Sequence, residues 1–488
     1  MAALSVVMAG RFAGVAAADG SAGASRVGFE YDADYLASPD ATPLSVSLQQ
    51  GRHEVGVWLD GLLSDNHLVR ERWQVEHRIP TTRAIDLLAS PVGRDCAGAV
   101  QFCPEEDTEA MLARGGGVRE LSQRRVAWMI DRLREDEAAW SHGETDAAFS
   151  LGGAQAKTAL RYDGNRWWLP HDASPTTHIL KPGVGRFPDT DIIEHISQRA
   201  AALVGIHSVD TECITVRGER ALLVTRYDRR PTASDYQRIH QEDICQALGV
   251  PVTRKYQEDG GPDVARVAGL LWSQSSDPET DVRLFRDALI WNWIIAGPDA
   301  HAKNYGLLLD RNEVRLAPLY DICSVLPYRH LIDPPEVVPV SKLKLAMKIG
   351  RDYSIHKADY RAAWERTSDA LGLPRQETLD RAEELARQTN SAVEQAIDEL
   401  PQKLRSSRYV SLMAKEIEQR APHCAYLSHM ATPTRHSKVT PVGGQAPPVS
   451  PRQGTSRPVT RKHCTHHGEH SHKQCILSEE HKPPHRYR

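Results

Sequence analysis

Beyond the middle of the chain, three polar residues have the types and spacing to move a phosphoryl group. Asp299 is followed five positions later by Asn304, within Asp299-Ala300-His301-Ala302-Lys303-Asn304. After an apolar run, Tyr305 to Leu309, and a turn at Asp310-Arg311-Asn312-Glu313 comes Leu316-Ala317-Pro318-Leu319-Tyr320-Asp321. This places a second carboxylate at the end of an expected β-hairpin. One carboxylate can accept the proton of an attacking hydroxyl. The other, with an amide oxygen, can hold a hard cation that keeps several waters and bridges phosphates. The same residues also suit two solvated loop acids and a capping Asn.

Upstream, Ser150-Leu151-Gly152-Gly153-Ala154-Gln155-Ala156-Lys157 is a small-residue turn between β-like runs. Glycines there permit positive φ and close backbone approach, so the N–H groups can cradle a phosphate. It is not a Walker A sequence, and a plain hairpin turn would read the same way. Lys181 closes the strand-like His178-Ile179-Leu180, and Glu194 sits in the next helical segment. A strand Lys paired with a helix Glu holds the α- and β-phosphates of ATP in protein kinases, and the Asp-to-Asn spacing is that of their catalytic loop. Alone, Lys181 reads as an exposed lysine at a strand end.

These residues need elements to carry them. Apolar Met1 to Ala18 lacks a basic leader, and Arg11 and Gly14 interrupt it, so it reads as strand and turn rather than a signal segment. Val55-Gly56-Val57-Trp58-Leu59-Asp60-Gly61 and Gly98-Ala99-Val100-Gln101-Phe102 read as short β-like runs. Arg119 to Ala139 has helical spacing through Leu121, Val126, Met129 and Leu133. Ala148 to Lys181 is β-rich, with a hairpin turn at Asp163-Gly164-Asn165. Asp191 to Gly205 predicts a helix, and Arg220 to Asp228 a buried strand. Gln241 to Glu418 looks mostly helical, broken around Gly297 to Pro327.

The 488 residues are enough for two or three domains. Their formal net charge of −4 argues against a whole-surface grip on nucleic acid. No run of about 18 apolar residues suggests a spanning helix. The eight cysteines are scattered, as expected of reduced thiols in a cytoplasmic protein. Residues 431–488 have almost no apolar periodicity and are expected to be disordered. His463, Cys464, His466, His467, His470, His472 and Cys475 are chemically fit for zinc, but their spacing matches no closed site. Deleting residues 432–488 is expected to leave the melting temperature and activity of the remainder unchanged. A clear fall in either would make the tail structural.

Taken in order, these blocks resemble the HipA family of serine/threonine kinase toxins. The resemblance rests on Phe149 to Leu160, Thr176-Thr177-His178-Ile179-Leu180-Lys181, Arg226-Tyr227-Asp228-Arg229-Arg230 and His240-Gln241-Glu242-Asp243. It continues through Asp259-Gly260-Gly261-Pro262, the Asp299 block, Tyr320-Asp321 and Lys344-Leu345-Ala346-Met347. Tyr35-Leu36-Ala37-Ser38 and Val92-Gly93-Arg94-Asp95 extend it to the N-terminal part, so it covers nearly all of residues 1–420.

The resemblance implies an α+β, protein-kinase-like, two-lobed fold. Its expected parts are an N-terminal β-containing subdomain (1–110), an N-lobe with phosphate loop and hinge (111–235), a helical catalytic lobe (236–430) and the tail (431–488). It further implies Asp299 as catalytic base and Asn304 and Asp321 as Mg2+ ligands. Nucleotide contacts would come from Gly152, Gly153, Ala154, Gln155, Lys157, Lys181, His301 and Lys303, with Glu194 supporting Lys181. The hinge from Leu223 would include Val224, Thr225 and Tyr227, and Ser150 would be an autophosphorylation site. ATP would be the phosphoryl donor. Implied partners are a HipB-like helix-turn-helix antitoxin, operator DNA mainly through it, and a protein substrate such as an aminoacyl-tRNA synthetase (glutamyl-tRNA synthetase in the best-known case), with no membrane. A catalytically silent scaffold that binds the antitoxin and tunes transcription is the alternative. Two departures stand out: Ala296-Gly297-Pro298 replaces a common Gly-Asn before the base, and Thr225 holds a position that is acidic in some relatives.

Overall fold

Ala9 and Gly10 both take positive φ, 49° and 81°, and turn strand Ala3–Met8 back onto strand Arg11–Ala18. The opening residues therefore form a β-hairpin, as their pattern predicts. The computed structural model describes residues 3–18, 26–48, 52–140, 149–233, 235–332 and 336–426. The expected disordered tail, with its His/Cys cluster, lies outside the described residues.

The hairpin belongs to a five-stranded antiparallel sheet ordered Arg52–Glu54, Val27–Tyr31, Arg11–Ala18, Ala3–Met8, Val100–Pro104. Its core collects Leu4, Val6, Phe29, Trp58, Trp73 and Phe102. The expected β-run at Val55 to Gly61 is instead the helix Gly56–Gly61. Val55, Trp58, Leu59 and Leu62 recur at i, i+3, i+4 and i+7, and none is more than 3 % exposed. That is helical spacing, and burial of this stripe overrides the β-like composition.

The second sheet has six antiparallel strands ordered Thr211–Val216, Glu219–Thr225, His178–Lys181, Thr158–Tyr162, Trp167–Asp172, Gly116–Leu121. Strand Glu219–Thr225 is buried on both faces, which explains its unbroken apolar run. Ala221 and Leu223 face the helix Gln123–Glu135, and Leu222 and Val224 face the helix Thr190–Leu203. The helix expected from Arg119 starts later, because Arg119 to Leu121 complete the edge strand and Ser122 caps the helix by accepting from the Arg125 N–H.

The C-terminal lobe packs the helices Pro278–Ile294, Arg375–Asp398 and Arg408–Cys424 around one large apolar core. The expected hairpin is there, as strands Gly306–Asp310 and Glu313–Leu316, and His240–Asp243 pairs with the first of them. Within the region expected to be mostly helical, Lys344–Ile349 pairs with Asp352–Ser354 as a second hairpin. A short apolar run of this kind fits either state by periodicity. Here Gly350, at φ 70°, turns the chain where a Cβ would come within 2.9 Å of Ala363.

A buried ion network ties the three parts together. Asp95 Oδ1 accepts from Arg229 at 3.1 Å and Arg238 at 3.0 Å, and its Oδ2 accepts from Thr176 at 2.6 Å. Arg226 pairs with Asp228 at 2.7 Å, while Asp228 also accepts from the Gly98 N–H. The residues after strand Glu219–Thr225 are thereby fastened to the Asp95–Gly98 segment of the N-terminal part.

Candidate active site

The expected site residues come from six separate stretches, and all but Ser150 line one cleft between the six-stranded sheet and the C-terminal lobe. The cleft encloses about 200 Å³. This is below the 300–1,000 Å³ typical of small-ligand sites, and the glycine loop is among its walls.

Lys181, at the end of strand His178–Lys181, reaches Glu194 on helix Thr190–Leu203 at 2.8 Å. Its ammonium also contacts Asp321. Burial alone would lower the pKa of Lys181, but Asp321 and Glu194 outweigh it and hold the group protonated. Asp321 takes a left-handed φ of 54°, which turns its carboxylate from the hairpin end into the cleft. Asp299 lines the same cleft, and its Oδ1 accepts from the Tyr256 hydroxyl at 2.5 Å. The Asn304 amide donates to the Asp299 carbonyl at 2.7 Å, leaving its Oδ1 as the acceptor. Asn304 and the partly exposed Asp321 carboxylate both line the cleft, and their side-chain oxygens are of the kind that could hold Mg2+ alongside water and phosphate. No cluster of three or more His, Cys, Asp or Glu side chains fit to hold a metal occurs among the described residues.

The departure before Asp299 has a visible consequence. Ala296 occupies the left-handed region at φ 53°, a conformation glycine adopts without strain. A Cβ on Gly297 would fall 2.3 Å from Asn292 Oδ1, so the Asn292 amide fills the space a side chain would need there.

The glycine loop is held from both sides. Gly153 adopts φ 89°, and a Cβ on it would lie 2.9 Å from Lys157 Nζ. Lys157 donates to the Gly152 carbonyl at 2.8 Å and stands 4.8 Å over the Trp140 ring. Its burial lowers the ammonium pKa to about 8. Ser150 is fully buried, with its hydroxyl donating to the Leu62 carbonyl at 2.7 Å. The N-terminal part also supplies the Asp65 N–H to the Gly153 carbonyl at 3.0 Å. Lys303 sits beneath Gly152, with Nζ 3.0 Å from the Gly61 carbonyl and 3.2 Å from Asp243. Burial holds His301 neutral, with its pKa lowered to about 4, and its Nδ1 has no hydrogen-bond partner.

On the hinge side, Thr225 is exposed and its N–H donates to Asp210. The Tyr227 ring stacks on Tyr320 with centroids 5.8 Å apart. Sequence reasoning missed Asp65, Lys255, Tyr256 and the role of Tyr320. Tyr320 lay within a block already singled out. Asp65 and Lys255 are 190 positions apart and pair at 2.9 Å, which no local pattern signals.

Comparison with known proteins agrees across the chain. Residues 4–103 match the HipA N-terminal domain, and residues 149–396 match the HipA-like C-terminal domain. A Sinorhizobium fredii protein provisionally named as the kinase Y4mE is 32 % identical over 404 residues, 81 % of this chain and 92 % of that protein. The serine/threonine-protein kinase toxin HipA of Shewanella oneidensis is 28 % identical over 328 residues, 64 % of this chain and 71 % of the toxin. Among solved structures, HipA in the complex of Shewanella oneidensis HipA, HipB and operator DNA superposes with a TM-score of 0.72 at 24 % identity. It covers 89 % of this chain and 100 % of that one, so the two share the α+β, kinase-like, two-lobed fold.

Proposed function

Because the chain belongs to the HipA family, we propose that it transfers the γ-phosphoryl group of ATP to a serine or threonine hydroxyl of another protein. The observation that carries this reading is Lys181, which joins Glu194 to Asp321 in the cleft that Asp299 also lines. Two carboxylates on one lysine position it for the α- and β-phosphates and aim Asp321 at a cation. Magnesium, held by Asn304 and Asp321, would neutralise charge on the phosphate oxygens. Asp299 then takes the proton of the attacking hydroxyl, while Lys157 and the loop N–H groups hold the phosphates in line.

The relatives extend the reading to biology. The toxin named among them, and the HipB and operator DNA of the solved complex, support a helix-turn-helix antitoxin as partner, with operator DNA reached mainly through it. The target would be a translation component such as an aminoacyl-tRNA synthetase, phosphorylated in the cytoplasm to arrest growth. Among the described residues, no helix is long and apolar enough to cross a membrane. Ser150, sealed under the Leu62 carbonyl, would accept a phosphate only after the loop swings outward. That movement would break the nucleotide site and so switch the enzyme off. The test is transfer from radiolabelled ATP by the purified protein, followed by phosphoproteomics of cells after induced expression. Absence of any transfer would favour the silent-scaffold alternative.

The depressed pKa of Lys157 gives this reading a pH signature. Its ammonium is present in the free enzyme below about 8 and is lost as pH rises through that value. Phosphate anions pair only with the charged form, so kcat/KM for ATP is expected to fall above pH 8. Lys157→Met is expected to lower kcat/KM roughly 10-fold or more below pH 8 and to remove this limb. A limb that persists in the variant would assign the titration elsewhere.

A further inference from the structure

The segment Arg254 to Pro262, which includes the Asp259-Gly260-Gly261-Pro262 block, touches no expected nucleotide or metal ligand except through the base and its loop. We infer that Tyr256 is the positioning residue of Asp299, and that the glycine turn after it exists to hold Tyr256 in place. The inference rests on the phosphoryl-transfer reading of the same site.

The Tyr256 hydroxyl donates to Asp299 Oδ1, while its ring packs edge-on against His301 with centroids 4.7 Å apart and planes at 83°. One carboxylate oxygen is thereby committed to the Tyr256 hydroxyl. A free aspartate rotates about two side-chain bonds. Fixing one oxygen selects the rotamer, and a base acts efficiently only within hydrogen-bond reach of its proton.

Tyr256 is itself held from several directions. Gly260 takes φ 88°, and the Gly261 N–H returns to the Tyr256 carbonyl at 2.9 Å. A Cβ on Gly261 would lie 2.1 Å from the Arg254 carbonyl oxygen and 2.6 Å from that of Tyr256, so only glycine closes this turn. Gln257 accepts from the Lys348 N–H at 2.8 Å, which buttresses the turn with strand Lys344–Ile349. Lys255, next in chain, pairs with Asp65 at 2.9 Å, and its carbonyl accepts from the Ala302 N–H in the loop that carries the base. Two blocks without a chemical role, at Asp259 and at Lys344, thus acquire one as the frame of the base.

Tyr256→Phe keeps the ring against His301 and removes only the hydroxyl. We expect kcat to fall about 10- to 100-fold with KM for ATP within about twofold of wild type, and the melting temperature to stay unchanged. Crystals of the variant should show the Asp299 carboxylate in more than one rotamer. A kcat within about twofold of wild type, or a loss carried by KM for ATP, overturns the inference. So does a single, unchanged Asp299 rotamer. The rotamer readout does not depend on turnover, so if the wild-type protein transfers no phosphate, the kinase reading fails while this measurement still decides the role of Tyr256.

Discussion

Asp299→Asn lowers kcat for phosphoryl transfer by about 10²–10⁴-fold and removes growth arrest, while KM for ATP and the melting temperature stay near wild type. The amide is nearly isosteric with the carboxylate but cannot take up the hydroxyl proton. No nucleotide contact is lost with it, because Lys181, Asp321 and the glycine loop are anchored independently of the Asp299 side chain. The loss therefore belongs in kcat and not in KM. Steady-state transfer assays at matched protein concentration check the first part, and induced expression in growing cells checks the second. Undiminished toxicity of the variant at equal expression would remove Asp299 from the role of base.

Asp95→Ala costs about 3–5 kcal/mol of stability and lowers the melting temperature by roughly 6–10 °C, although Asp95 reaches no substrate. Asp95 and Asp228 are two buried carboxylates that serve three buried guanidinium groups, on Arg226, Arg229 and Arg238. Burial would raise the pKa of Asp95, but Arg229, Arg238 and Arg226 overcome it and hold the carboxyl well below its usual range. Removing Asp95 leaves guanidinium charge buried without its counter-ion, and Thr176 loses its acceptor as well. The damage should reach the site, since the Asp95 carbonyl accepts the Ser150 N–H at 2.9 Å. Thermal unfolding of wild type and variant, with nucleotide binding measured below the transition, checks both parts. A melting temperature within error of wild type would mean that water replaces the carboxylate and that the network is not structural.

How much of this was legible in the sequence follows from distance along the chain. Asp299, Asn304 and Asp321 were readable because one loop and one hairpin set their geometry, and local rules govern both. Lys181 and Glu194 were readable for the same reason, being a strand end and the next helix. The reading failed where two local states were equally compatible with composition. Val55 to Gly61 was misread as β-like, although its apolar stripe repeats at helical spacing. The Lys344–Ile349 strand was hidden in a stretch that looked helical.

Chemical identity and short spacing are local properties, so the order of residues alone indicates which groups could act as base, ligands and phosphate cradle. How those groups are held and charged depends on contacts between distant parts of the chain. From the N-terminal part the Asp65 N–H reaches the Gly153 carbonyl and the Gly61 carbonyl takes up Lys303, while the Tyr256 hydroxyl reaches Asp299 from 43 positions away. Lys157 loses its proton near pH 8, while Lys181 keeps its own well above that. Both are buried lysines, and nothing in their sequence neighbourhoods separates them. What separates them is direct pairing: folding brings two carboxylates into contact with Lys181, whereas Lys157 bonds a carbonyl and an aromatic face, and the attraction of Asp321 and Asp65 does not offset its burial and the neighbouring Lys181 and Lys303.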